Sequence, residues 1–193
     1  KNISYFIKKT LNKFKKIDIL VNNIGGDEKS DIKLIKPGIY ETFINSYNIN
    51  FGTSLNFIVY ALPHMKKNSW GRVINISSIS SLNLNKRIWY SNAKMSSENL
   101  IKYLATLKEY TNKKITFNSI SPGHLNTKKS YLHKLKNKNK QMFYKEVEKR
   151  NPIGKLCEPE YILNLIIYLC SVKAEFINGS NIIVDGGENL LKS

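Results

Sequence analysis

The chain has little cysteine, little arginine and no long apolar run. Its two cysteines, Cys157 and Cys170, form no CxxC pair. That argues against a disulfide framework or a zinc knuckle and fits a reducing, cytoplasmic setting. No uninterrupted apolar segment approaches the roughly 18 residues that a membrane helix needs, and no signal-peptide pattern opens the sequence. No membrane partner is therefore expected. Three histidines, His64, His124 and His133, lack metal-ligand spacing, so no metal is expected either. Acidic residues are also scarce: 14 against 31 basic ones, a formal charge of +17. Such a charge invites a nucleic-acid partner. However, the only arginines are Arg72, Arg87 and Arg150, and base readout leans on arginine forks. The joint excess of lysine, asparagine and isoleucine is the mark of AT-rich coding. The densest basic stretch, residues 128–145, reads as the solvated face of an amphipathic helix. A weak non-specific anion affinity at low salt is compatible with that, but no nucleic-acid partner is expected.

What is present is a globular composition. A length of 193 residues with 41% hydrophobic content suits a single domain, residues 1–193, with a sizeable core. Apolar residues at Ile3, Phe6, Ile7, Leu11 and Phe14 follow helical spacing. Residues 17–21 form a short apolar run ending in Asn22-Asn23-Ile24-Gly25-Gly26, which reads as a buried strand and a loop. The loop is expected to run on through Asp27, Lys36 and Pro37 to Gly38. Residues 40–65 read as a long helix bent near Asn50-Phe51-Gly52. Residues 72–76 form a second strand, 90–110 a third long helix and 115–120 a third strand. Residues 128–150 are polar and helical, and 159–171 form a helix with proline in its first turn. Residues 182–184 form a last strand. Helices alternating with short, doubly apolar strands predict an α/β fold, a doubly wound parallel sheet with helices on both faces. The loops carrying Asn23, Ser78 and Pro122 all follow strands. They should converge on the sheet edge where such folds bind ligands.

The chemistry concentrates at Tyr90-Ser-Asn-Ala-Lys94. Residues four apart share one helix face. A free tyrosine has a pKa of about 10, and a neighbouring ammonium favours the phenolate, which makes the phenol useful for proton transfer. A serine reaching the same point, Ser78, could hold the substrate oxygen being protonated. Taken singly, each of these residues has a bland reading: Ser78 a cap, Lys94 a solvated lysine, Asn50 a helix kink, Pro122-Gly123 and Gly186-Gly187 plain turns.

Taken in order, the motifs resemble the short-chain dehydrogenase/reductase family over nearly the whole chain. Asn22-Asn23-Ile24-Gly25 resembles that family's Asn-Asn-Ala-Gly, and Asn50 its helix asparagine. Asn75-Ile76-Ser77-Ser78 resembles its strand-end serine motif, and Tyr90-xxx-Lys94 its active-site signature. Pro122-Gly123-His124-Leu125-Asn126-Thr127 resembles Pro-Gly-x-x-x-Thr. The segments Asn151-Pro152-Ile153-Gly154, Pro159-Glu160, Asn178-Gly179 and Val184-Asp185-Gly186-Gly187 resemble its C-terminal end. The resemblance implies hydride transfer between NAD or NADP and a small-molecule carbonyl or secondary alcohol. It implies that Tyr90 is the acid–base group, that Lys94 lowers the Tyr90 pKa and bonds the nicotinamide ribose, and that Ser78 polarises the substrate oxygen. Asn50 is implied as the holder of a water linking Lys94 to solvent. Asn23, Gly25, Pro122 and Gly123 would lie along the cofactor, while Leu125 and Thr127 would hold its carboxamide. The long helices over 40–65 and 90–110 would form a homodimer or homotetramer interface.

The chain also departs from the family pattern. It carries no Gly-x-x-x-Gly-x-Gly, and it begins with lysine inside a helical pattern. About 60 residues, two βα units, are expected upstream, so the chain corresponds to the C-terminal three quarters of the domain. The choice between NAD and NADP is therefore not readable. The 193 residues alone are expected to fold poorly and bind cofactor poorly, because the strand at 17–21 would be an unpaired apolar edge. Trp89 beside Tyr90, in the segment 80–89, either shapes the pocket or packs. The basic stretch 128–150 corresponds to the family's substrate lid, which favours an anionic or carrier-linked substrate. A 3-oxoacyl-carrier-protein reductase and a sugar-pathway reductase both fit. The rival reading is a catalytically inactive remnant or binding protein that keeps the fold.

Overall fold

A computed structural model describes residues 2–26, 38–82, 87–128 and 130–192. The expected loop from Asp27 to Pro37, and residues 83–86 of the segment before Trp89, lie outside the described residues. Four strands form one parallel sheet in the order β1-β2-β3-β4. They are β1 (Ile19–Asn22), β2 (Gly71–Ile76), β3 (Ile115–Pro122) and β4 (Asn181–Val184). In register, Val21 pairs with Ile74, Ile74 with Asn118, and Ile120 with Ile182.

The helices fall between the strands as the apolar periodicity predicts. α1 (Asn2–Phe14) precedes β1, while α2 (Ile39–Tyr47) and α3 (Thr53–Asn68) join β1 to β2. The expected bend near Asn50 is a π-helical turn, Asn48–Gly52, between α2 and α3. α4 (Ile88–Thr106) and the single turn α5 (Lys108–Thr111) join β2 to β3. The sequence periodicity runs through this point to residue 110, but Leu107 adopts extended backbone and breaks the helix. α6 (Tyr131–Lys138), α7 (Lys140–Arg150) and α8 (Pro159–Cys170) join β3 to β4. Side-chain caps start two of them: Ser130 accepts from the His133 N–H at 3.1 Å and Asn139 from the Met142 N–H at 2.9 Å, as N-caps do.

Every residue of β2 and β3 is buried, so both faces of the sheet are covered. Strand side chains alternate between faces, and two clusters result. Val73, Ile115 and Phe117 pack with Ile7 of α1, Ile58 and Met65 of α3, and Ile101 of α4. Ile74, Ile76 and Ile120 pack with Ile162 and Leu169 of α8. A third, small cluster of Leu132, Leu135, Phe143, Val147 and Leu156 binds α6 to α7. It shows the basic stretch to be amphipathic, its lysines on the outer face. Among the described residues no helix is long and apolar enough to cross a membrane, and no cluster of potential metal ligands occurs.

Candidate active site

All four strands run in one direction, so the loops that leave β1, β2 and β3 open on the same sheet edge. There they surround a cavity of about 300 Å³. Asn23, Gly25 and Gly26 line it from the first loop, and Ile76, Ser77 and Ser78 from the end of β2. Arg87, Tyr90 and Lys94 line it from the start of α4, and Pro122, Gly123 and Leu125 from the third loop. Tyr90 and Lys94 thus share the face that their spacing requires, with Lys94 Nζ 5.7 Å from the centre of the Tyr90 ring.

Lys94 is only 4% exposed. Its Nζ donates to the Ile76 carbonyl at 2.9 Å, which anchors the ammonium at the end of β2. Burial lowers its pKa to about 8, with the nearby Glu98 carboxylate pulling the other way. Ser78 caps the 3-10 turn Ile79–Ser81, its hydroxyl oxygen accepting from the Ser80 N–H at 3.1 Å. That interaction uses a lone pair and leaves the O–H to donate.

The first loop is held from behind by Asn50. Its Oδ1 accepts from the Gly26 N–H at 3.0 Å. Its Nδ2 donates to the carbonyls of Gly26 and Ser46, both at 2.9 Å. Asn50 is fully buried and does not line the cavity itself. Glycine at 25 is required by this packing: a Cβ there would lie 2.7 Å from Asn50 Oδ1 and 2.9 Å from Lys94 Nζ. Gly123 is confined in the same way, since a Cβ would meet the Asp185 Cβ at 2.8 Å.

Of the residues singled out from sequence, Asn23, Gly25, Ser78, Tyr90, Lys94, Pro122, Gly123 and Leu125 meet at the cavity. Thr127 does not: it is exposed, its N–H donating to the Leu125 carbonyl at 3.0 Å. Trp89 packs rather than lines the cavity, its ring 5.2 Å from that of Phe43 on α2. Two residues were missed. Arg87 lies one helical turn before Tyr90, with its guanidinium carbon 5.4 Å from the Tyr90 ring centre. Glu98 lies one turn beyond Lys94 and is buried. The three- and four-residue spacings from Tyr90 and Lys94 were the available signal. Among the described residues, those that line the cavity include an ammonium, a guanidinium, a phenol and a serine hydroxyl but no carboxylate. That donor set fits the ribose and nicotinamide end of a dinucleotide beside a substrate oxygen.

A family model described as enoyl-(acyl carrier protein) reductase matches residues 1–189. The chain is 30% identical over 184 residues to the (2S)-[(R)-hydroxy(phenyl)methyl]succinyl-CoA dehydrogenase subunit BbsD of Thauera aromatica, covering 95% of this chain and 70% of that protein. It is 32% identical over 178 residues to a 7alpha-hydroxysteroid dehydrogenase of Paraclostridium sordellii, covering 91% of this chain and 64% of that protein. Among solved structures, ElxO with NADP bound superposes with a TM-score of 0.84 at 28% identity, covering 96% of this chain and 73% of that one. The chain thus spans roughly two thirds of the length of the curated relatives it matches.

Proposed function

The chain belongs to the short-chain dehydrogenase/reductase family of oxidoreductases, and from that premise we propose that it moves a hydride between a nicotinamide cofactor and a carbonyl or secondary alcohol. One observation carries the reading: Tyr90, Lys94 and Ser78 converge on one cavity with the Asn23–Gly26 and Pro122–Leu125 loops. A complete acid–base set in one cavity favours an enzyme over an inactive remnant.

When bound, the cofactor supplies the hydride; the protein supplies orientation, charge and a proton. Tyr90 gives its phenolic proton to the carbonyl oxygen in reduction, or takes one from the alcohol in oxidation. The Ser78 O–H donates to the same oxygen and fixes its direction. Lys94 as the ammonium favours the phenolate form of Tyr90, and its remaining N–H groups suit ribose hydroxyls. Asn23 and Gly25 would flank the cofactor, with the Leu125 backbone toward its carboxamide. Asn50, locked to the Gly26 backbone, would keep that wall in place and hold a water behind Lys94. Either NAD or NADP suits this end of the site.

For the substrate we favour an anionic, CoA-linked or carrier-linked carbonyl over an anionic sugar. Arg87 and Lys94 place two cationic groups on a cavity that no carboxylate lines among the described residues. The basic outer faces of α6 and α7 carry Lys134, Lys136, Lys138, Lys140 and Lys145 nearby in sequence. The setting we propose is cytoplasmic, in keeping with two free cysteines. The assembly we propose is a homodimer or homotetramer through α3 and α4, which expose Val59, Tyr60, Met95 and Tyr103.

The test is Tyr90→Phe in the full-length protein, with acetoacetyl-CoA as the probe carbonyl and NADPH or NADH in turn. Turnover should fall by at least about 100-fold, while the cofactor dissociation constant stays within a few-fold of wild type. Undiminished turnover would rule out the assigned acid–base role.

A further inference from the structure

The mechanism so far leaves a buried acid on α4 unused. Glu98 is 4% exposed and stands on α4 one turn beyond Lys94, under the floor of the cavity. Three hydroxyls gather on a single one of its oxygens, Oε1. Ser77 at the end of β2 donates to it. Ser81, in the turn after Ser78, lies 2.5 Å away, and Ser121 of β3 lies 3.2 Å away. The Ser81 hydroxyl is also 2.6 Å from the Ser78 carbonyl, so the chain on either side of the substrate-facing serine is tied to this carboxyl. Ser121 reaches onward to Asn181 of β4 at 2.8 Å. The end of β2, the turn after Ser78 and β3 are thereby joined to α4 at a single side chain, with β4 one hydrogen bond further on.

The same side chain acts on Lys94. From α4 itself, Tyr90 and Glu98 face Lys94; from the π-helical turn, Asn50; from the first loop, the backbone of Gly25. From β2 the Ile76 carbonyl accepts its proton, and Arg87 lies beside Tyr90. Of these, Glu98 is the carboxyl group, and its Coulomb attraction favours the ammonium form of Lys94. Removing a carboxylate from water is costly unless donors replace the water; the Ser77 hydroxyl is such a donor, while Ser81 and Ser121 each share one proton between Glu98 and a second acceptor.

We infer that Glu98 is a positioning residue of this site: its serine-bound carboxylate holds Ser78 in register with α4 and keeps Lys94 in the ammonium form. The inference rests on the reading of Tyr90, Lys94 and Ser78 given above, but its principal test needs neither substrate nor cofactor. Glu98→Gln keeps the shape and one acceptor oxygen and removes the charge. The full-length protein is labelled at lysine Cε with 13C and titrated by NMR. Most lysines titrate near 10.4; a single resonance titrating near pH 8 and missing in Lys94→Met is Lys94. In Glu98→Gln its midpoint should fall by about 1 pH unit. Glu98→Asp is the control if Glu98→Gln does not fold. It keeps the charge on a shorter arm, so the Lys94 midpoint should stay within about 0.3 unit. Its kcat with acetoacetyl-CoA should drop about tenfold as Ser78 loses register, with KM moving less. An unmoved Lys94 midpoint in Glu98→Gln overturns the electrostatic role. A Glu98→Asp variant with wild-type kcat overturns the registration of Ser78. Failure of Tyr90→Phe to lose activity would instead strike the underlying reading and leave the Lys94 titration result standing on its own.

Discussion

Lys94 concentrates the physical tension of this molecule in one residue. Its ammonium is useful beside Tyr90 because it is buried, and burial is what lowers its pKa to about 8. The sign of the consequence for stability follows directly. An unfolded lysine stays protonated to about pH 10.4, whereas the folded one begins to release its proton near pH 8. Between those values the unfolded chain binds more protons, so stability rises with pH. The penalty for burying the charge is full below pH 8 and fades as pH rises above it. Lys94→Met removes this dependence. Comparing urea midpoints at pH 7.5 and 9.5, wild type should gain about 2 kcal/mol relative to Lys94→Met; an equal response of the two proteins would contradict the depressed pKa. The Tyr90–Lys94 pairing was legible from sequence because four residues make one helical turn. The carbonyl partner of Lys94 was not, because Ile76 lies 18 residues away on a strand whose end had to be placed in three dimensions.

At the scale of elements, the join between α2 and α3 does the most for the site. A π-helical turn widens the helix by a residue, and such turns often occur where a side chain must be re-aimed. Here the turn carries Asn50, which clamps the loop leaving β1. Replacing Asn50 by alanine leaves the Gly26 N–H and carbonyl without their partner, a cost of about 1–3 kcal/mol. The expected outcome is faster amide hydrogen exchange at Gly26, by about tenfold or more, while amides of the central strand β3 keep wild-type protection. Unchanged exchange at Gly26 would mean the loop is held by something else. The position of the bend was readable from Asn50-Phe51-Gly52, where helix-poor residues interrupt an apolar period. Its π character was not, because it depends on what the asparagine side chain finds behind it. The break at Leu107 also escaped the periodicity, which continues through it to Tyr110; Tyr110 packs edge-on against Phe117 at 5.8 Å.

At the scale of the whole molecule, a sheet covered on both faces leaves its apolar surplus on the helices. α3 buries Ile58, Leu62 and Met65 yet exposes Val59 and Tyr60, and α4 buries Ile101 and Leu104 yet exposes Met95 and Tyr103. A helix that is apolar on more than one side is expected to meet a second partner. Placing a charge there is the direct test. Val59→Glu with Tyr103→Glu should lower the sedimentation coefficient of the full-length protein to that of a monomer, with the far-UV circular dichroism spectrum unchanged. A wild type that sediments as a monomer would remove α3 and α4 from consideration as an interface. β1 forms one edge of the sheet among the described residues, and Ile19 and Val21 are exposed there, whereas residues 17–21 read from sequence as a buried strand; the short apolar run specifies a strand but not whether a neighbour covers it.

The sequence by itself determined the α/β class, the order of strands and helices, and most of the residues that meet at the cavity. Those features are written in local terms: a period of two or 3.6, a glycine or proline at a turn, two functional groups one helical turn apart. Tertiary structure alone decided how the groups bear on one another. It placed Arg87 on the cavity and left Thr127 outside it. It buried Arg72 in β2, where the guanidinium donates to the Gly71 and Lys114 carbonyls. It also drew Ser77, Ser81 and Ser121 from three separate segments onto Glu98. Burial, desolvation and long-range hydrogen bonding depend on which surfaces meet, and no local pattern of residue types records that.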